Sequence, residues 1–166
     1  MTYCADGEFR HADEDGEGGV LKKGWVQHTT VGKGMYHAEI NNRRDEPMRF
    51  IQMWFFPSEH GLEPAVEQKR AERAERTNRF LPLVSNEHDD ALRIHSNAQV
   101  YSSFLQAGQI LNYQIRDWRG VYLYVLNGGP VQVNGHLIPA LGAAKVVEET
   151  GIQVKTDTEA ELLLVD

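Results

Sequence analysis

The chain has 166 residues, 41% hydrophobic and 25% charged, with 17 basic against 24 acidic side chains and a formal net charge of −7. That composition suits a globular protein large enough for a real core, and its acidic balance argues against a nucleic-acid surface. No apolar run approaches the roughly 18 residues of a membrane span, the opening residues are polar rather than leader-like, and the single Cys4 cannot form an internal disulfide; the expectation is a reducing, cytoplasmic setting without membrane contact.

Short runs with turn signals fill the first third. "EFRHAD" reads as a strand, "EDGEGG" as a Gly-rich turn, and "GWVQHTT" and "MYHAEIN" as two further strands separated by glycines. "MRFIQMWFF" is apolar and aromatic-rich, the pattern of a buried strand, and Pro57 and Gly61 punctuate its end. Residues 64 to 80, "PAVEQKRAERAERTNRF", hold few apolar residues and many helix formers. Glu72 with Arg76 and Glu75 with Arg79 stand at i,i+4, so a solvated helix beginning at Pro64, its charges largely paired among themselves, is expected.

Strand signals return from Leu81 onward in "ALRIHS", "AQVYSSFL", "QILNYQI", "GVYLYVLNG", "PVQVNG", "HLIPAL", "AAKVVEE", "GIQVKTD" and "AELLLVD". "NGG" at 127–129 and "NG" at 134–135 are hairpin signals. Many short strands at regular spacing make an all-β sandwich or small barrel. The chain therefore divides into residues 1–57, a polar, helix-prone connector at 58–82, and a second β-rich segment at 83–166.

In "GKGMYHAEIN", His37 and Glu39 stand two residues apart on one strand, so their side chains share a face. An imidazole beside a carboxylate suits a divalent ion such as Fe, Mn, Ni, Cu or Zn. Alone, a strand histidine beside a carboxylate is more often a surface ion pair. His11 shares parity with Phe9 and is expected to face inward, whereas His28 should face opposite to Gln27. Both are candidates for an additional ligand, with a packed or surface role as the alternative. His60, His88, His95 and His136 fall in turn-like or connecting segments, and no histidine–carboxylate pair is arranged around Cys4.

Leu21, Gly24, Gln27, Gly32, Gly34, His37 and Glu39 form Leu-x-x-Gly-x-x-Gln followed by Gly-x-Gly-x-x-His-x-Glu. This resembles the second conserved motif of the cupin superfamily in its pirin form. The likeness continues through "QMWFFPSEHGLEPAVEQKR" and "QVNGHLIPALGAAKV" to "AELLLVD", covering nearly the whole chain. Lys23 departs from it, standing where the family usually has proline.

The resemblance implies a cupin-type double-stranded β-helix, or jelly-roll, bicupin. In pirins a metal, usually iron, is held by a His-x-His pair from the first motif and a His and Glu from the second. His37 and Glu39 fall on the second pair. The end of the first motif matches Thr2, Tyr3 and Gly7, and the family's His-x-His lies before that point. The expectation is therefore an incomplete N-terminal barrel carrying half a metal site, and a complete C-terminal barrel without metal ligands. An incomplete barrel exposes strand edges and apolar faces, which self-association would cover.

Two functions are implied. One is a metal-dependent quercetin 2,3-dioxygenase-like enzyme, with His37 and Glu39 as ligands, Glu39 also assisting deprotonation of a flavonol hydroxyl, and activity reduced by the half site. The other is a non-catalytic, regulatory module that binds a protein partner.

Overall fold

Alternation of branched or aromatic residues with polar ones produces strands spread from Thr2 to Val165. The structure, a computed structural model, describes residues 1–13 and 16–166. It contains two units, the first of residues 1–72 and 84–97, the second of residues 73–83 and 98–166.

In the first unit the strands are β1 (Thr2–Asp6), β2 (Glu8–Asp13), β3 (Gly16–Lys22), β4 (Val26–Thr30), β5 (His37–Asn41), β6 (Arg49–Gln52) and β7 (Ala65–Lys69). They form two antiparallel sheets, ordered β6-β1-β4-β7 and β3-β2-β5. Cys4, Phe9 and Leu21 make a buried apolar cluster with Phe50, whose ring lies 5.7 Å from that of Phe9. Beyond that cluster the facing surfaces turn polar. Thr2 pairs with both Gln27 and Gln52, and Gln27 pairs with Gln68. Directly paired residues share a face, and Gln68 Nε2 donates to the Gly18 carbonyl of β3. This row of amides and hydroxyl therefore looks toward the second sheet, and His28, one residue on from Gln27, looks away from it.

Three sequence expectations fail here. "EDGEGG" is not all turn, since β3 begins at Gly16; residues 14 and 15 of that stretch lie outside the described residues. The strand expected over "MRFIQMWFF" stops at Gln52, after which Met53 donates its N–H to the Met1 carbonyl and the chain leaves the sheet. Trp54 and Phe56, expected to be buried, are 88% and 96% exposed. The third failure is the helix from Pro64. Residues 65–69 pair along the edge of β4 instead, because tertiary pairing outweighs a weak helix propensity.

The helical content among the described residues is one 3-10 turn, Arg73–Arg76, belonging to the second unit. Two of its arginines reach carboxylates far along the chain, which the sequence did not suggest. Arg76 is buried and pairs with Glu161 at 3.6 Å, while Arg73 pairs with Glu159 at 3.2 Å and covers the Phe104 ring.

The chain continues through β8 (Leu81–Ser85), β9 (Leu92–Arg93), β10 (Val100–Leu105), β11 (Ile110–Gln114), β12 (Val121–Gly128), β13 (Val131–Val133), β14 (His136–Ile138), β15 (Ala143–Val146), β16 (Gly151–Lys155) and β17 (Ala160–Val165). "ALRIHS" contributes only the two residues of β9, which pair in parallel with Val84 and Ser85. In the second unit β15, β12, β17 and β10 are neighbours in one sheet and β11-β16-β13-β14 form another. Leu105, Leu111, Leu123, Val131, Val154 and Leu162 are among the residues of one buried apolar core there.

Asn134–Gly135 is the expected hairpin turn: both residues have positive φ, and Val133 pairs with His136 across it. "NGG" at 127–129 is not a hairpin. β12 and β13 lie in different sheets, because Gly128 turns at φ +71° tight against the Glu159 carbonyl, and Pro130 has no N–H to continue the ladder.

Candidate metal and ligand site

β5 presents His37 and Glu39 on one face, and β2 supplies the opposing row. His11 stands directly opposite Glu39, and Asp13 opposite His37. The imidazoles of His11 and His37 lie 5.3 Å apart between ring centres, tilted by 46°. His11 is fully buried, and neither ring nitrogen has a hydrogen-bond partner among the described residues. Space for the ring comes from Gly18, where any Cβ would stand 2.4 Å from His11 Nδ1. Burial, first, and the neighbouring His37 push His11 below the ordinary imidazole value, against opposing pulls from Asp13 and Glu39.

Glu39 is held from the other sheet. Thr2 Oγ1 donates to its Oε1 at 2.7 Å, and Gln52 Nε2 donates to its Oε2 at 3.3 Å. Gln52 is fixed in turn by Trp54 Nε1, which donates to its Oε1 at 3.2 Å. Each carboxylate oxygen retains a lone pair for a further partner. Such supporting hydrogen bonds are what orient a carboxylate that ligates a metal.

These groups open onto a cavity of about 510 Å³, within the usual range for small-molecule sites. Thr2, His37, Glu39 and Gln52 line it on one side of the β1–β4 pair, and Met53, Trp54, Phe55 and Leu62 add apolar wall. Gly32 lets the wall close, since a Cβ there would stand 2.2 Å from the Leu62 carbonyl oxygen.

Donor chemistry and placement together test whether a metal fits. His37 and Glu39 share a face and a cavity, and their donors suit a borderline divalent ion. Among the described residues no group of three or more His, Cys, Asp or Glu is close enough to hold a metal ion. The pair therefore fits as two ligands. His11 is the nearest further imidazole, though not in a coordinating position.

His28 does not approach His37. It lies on the opposite face of its sheet, 6% exposed, where its neighbour is His95. His95 Nδ1 lies 2.7 Å from Glu59 Oε1. Both histidines line the same cavity. The sequence held no signal for His95 or Glu59, which occupy connecting segments, nor for Thr2 and Gln52, which meet Glu39 only once the strands pair. Cys4 is buried away from this chemistry, its thiol pushed up to about 12 by burial and by Asp6 and Glu8.

Comparison with known proteins places these observations in a family. Residues 1–55 match the pirin family model, and residues 83–166 match that of the quercetinase C-terminal cupin domain. The chain is 35% identical over 168 residues to a pirin-like protein of Caulobacter vibrioides, covering 100% of this chain and 72% of that protein. It is 28% identical to quercetin 2,3-dioxygenase of Escherichia coli K12, covering 100% of this chain and 71% of that one. The crystal structure of the bacterial pirin YhhW of Escherichia coli in complex with nickel(II) superposes with a TM-score of 0.89 at 26% identity, over 99% of this chain and 70% of that one. No helix among the described residues is long and apolar enough to cross a membrane. With an all-β cupin architecture and matches spanning both its units, the chain belongs to the pirin family of the cupin superfamily.

Proposed function

We propose that this chain is a metal-binding, quercetinase-like pirin in which His37 and Glu39 hold a divalent transition metal, Fe, Mn, Ni, Cu or Zn, beside a cavity that takes a flavonol. The observation carrying this reading is the shared placement of the two donors on one face of β5, with Thr2 and Gln52 orienting the carboxylate. The nickel-bound pirin and the quercetin 2,3-dioxygenase among the relatives point the same way.

In the reaction we propose, a flavonol is oxidised by O₂. A divalent ion bound here supplies Lewis acidity that lowers the pKa of a ligating hydroxyl. His37 contributes a neutral imidazole donor. Glu39, anchored through both oxygens, holds its charge at the flavonol's 3-hydroxyl and takes up its proton. Met53, Phe55 and Leu62 exclude water from the aromatic rings. With two protein ligands in place among the described residues, metal affinity and turnover are low relative to a four-ligand site. Metal analysis of the purified protein with flavonol-dependent O₂ uptake tests this. Metal content and uptake no higher than in a His37→Ala control would reject it.

A second reading is favoured by the exposed aromatics Tyr36, Trp54 and Phe56, at 82%, 88% and 96% exposure. Exposed large apolar side chains can mark a contact surface, and under this reading the protein is a non-catalytic module whose exposed aromatics are covered by a second copy or another protein. It requires a defined oligomer or complex, stable without metal. Dissociation or unfolding on adding EDTA, followed by sedimentation velocity, would reject it.

A further inference from the structure

The cavity has a second polar group on the far face of the β1–β4 pair, built from His28, His95 and Glu59. His28 is 94% buried by its 6% exposure and lines the cavity. Its Nδ1 is sealed from solvent without a hydrogen-bond partner among the described residues, which leaves Nε2 as the nitrogen the ring can offer to the cavity. An orphaned N–H in a protein interior is rarer than an under-satisfied acceptor, so the proton belongs on Nε2 and the bare lone pair on Nδ1. His28 is neutral around pH 7, since burial first, then the Met1 ammonium and His95, lower it to about 4.

His95 has the complementary arrangement. Its Nδ1 faces the Glu59 carboxylate at 2.7 Å and therefore carries the donated proton, which leaves Nε2 as the acceptor in the neutral ring. The same segment is pinned a second time, by the Ser58 N–H donating to the His95 carbonyl at 2.7 Å. One donor and one acceptor thus stand at neighbouring imidazoles beside apolar wall from Met53, Leu62 and Ile94. A hydroxyl satisfies both at once. A carbonyl would use only the donor, and a carboxylate or phosphate would meet the lone pair of His95 and the charge of Glu59.

We propose that His28 and the Glu59–His95 pair form a hydroxyl-binding subsite of the cavity, in which His28 Nε2–H donates to a phenolic oxygen of the ligand and His95 Nε2 accepts a hydrogen bond from that hydroxyl. The ligand class is a planar polyphenol. This inference rests on the flavonol reading above and adds a contact remote from His37 and Glu39.

The test is calorimetric titration of quercetin into the full chain, its His28→Leu variant and its His28→Gln variant. Gln retains an N–H donor at that end of the side chain. His28→Leu should weaken quercetin binding roughly tenfold, about the worth of one buried hydrogen bond, and His28→Gln should remain within about twofold of wild type. Equal affinity for wild type and His28→Leu overturns the subsite while leaving the flavonol reading standing, as does a His28→Gln variant as weak as His28→Leu. Absence of quercetin binding to the wild-type chain overturns both together. Should His28→Leu fail to fold, His95→Phe, at a ring 35% exposed, carries the same test: a tenfold loss supports the subsite and unchanged affinity overturns it.

Discussion

The imidazoles of His11 and His37 face one another across the β2–β5 pair, 5.3 Å between ring centres, with His11 wholly buried and without a hydrogen bond among the described residues. Burying a polar ring this way costs stability, and only the missing side chain of Gly18 makes the space. Gly18→Ala should therefore force the ring off its position and destabilise the fold by about 1–3 kcal/mol, in the range of other overpacked sites. Chemical denaturation measures it. A change below about 0.5 kcal/mol, the usual range of a surface substitution, would mean that His11 is not confined as described.

His28 makes stability depend on pH. Its folded value, about 4, lies below the roughly 6.5 of an unfolded histidine. Above pH 6.5 neither state binds the proton, so the residue contributes no slope. Between pH 6.5 and 4 the unfolded chain takes up a proton that the folded chain refuses, so stability falls as pH falls. The full contribution is on the order of 3 kcal/mol. Urea midpoints for wild type and His28→Gln should converge toward pH 4 from their separation at pH 7, the wild type losing stability faster. Parallel curves over that window would contradict the burial of the ring.

Cys4 should be inert. With the thiol raised to about 12 by burial and the nearby carboxylates, and its Sγ directed at the Gly7 carbonyl 3.4 Å away, almost no thiolate is present at pH 8. Alkylation by iodoacetamide should be at least about a hundredfold slower in the native protein than in urea, since the nucleophile is the thiolate. Equal rates would show that the thiol is exposed.

The sequence made the strands and the His37–Glu39 face readable because period two in side-chain direction follows from the backbone alone. The Asn134–Gly135 turn was readable for the same local reason, both residues tolerating positive φ. What failed was decided by pairing between distant segments. Residues 65–69 carry helix-forming side chains but fill the edge of β4. Trp54 and Phe56 carry a buried-strand composition but fall just beyond the last ladder contact of β6, where among the described residues no strand runs beside them. At the site, the inward direction of His11 came from parity. The hold of Thr2 and Gln52 on Glu39, and the meeting of His28 with His95 and Glu59, depend on register across strands and loops that no local pattern records.

The most direct measurement for the proposed metal site is calorimetric titration of nickel(II) into the chelator-stripped chain, compared with His37→Ala, Glu39→Gln and the remote control His136→Gln. Saturable binding to wild type and to His136→Gln is expected, weakened at least about tenfold by either His37→Ala or Glu39→Gln. Equal binding by all four proteins, or none by the wild type, would contradict the assignment of His37 and Glu39 as the ligands.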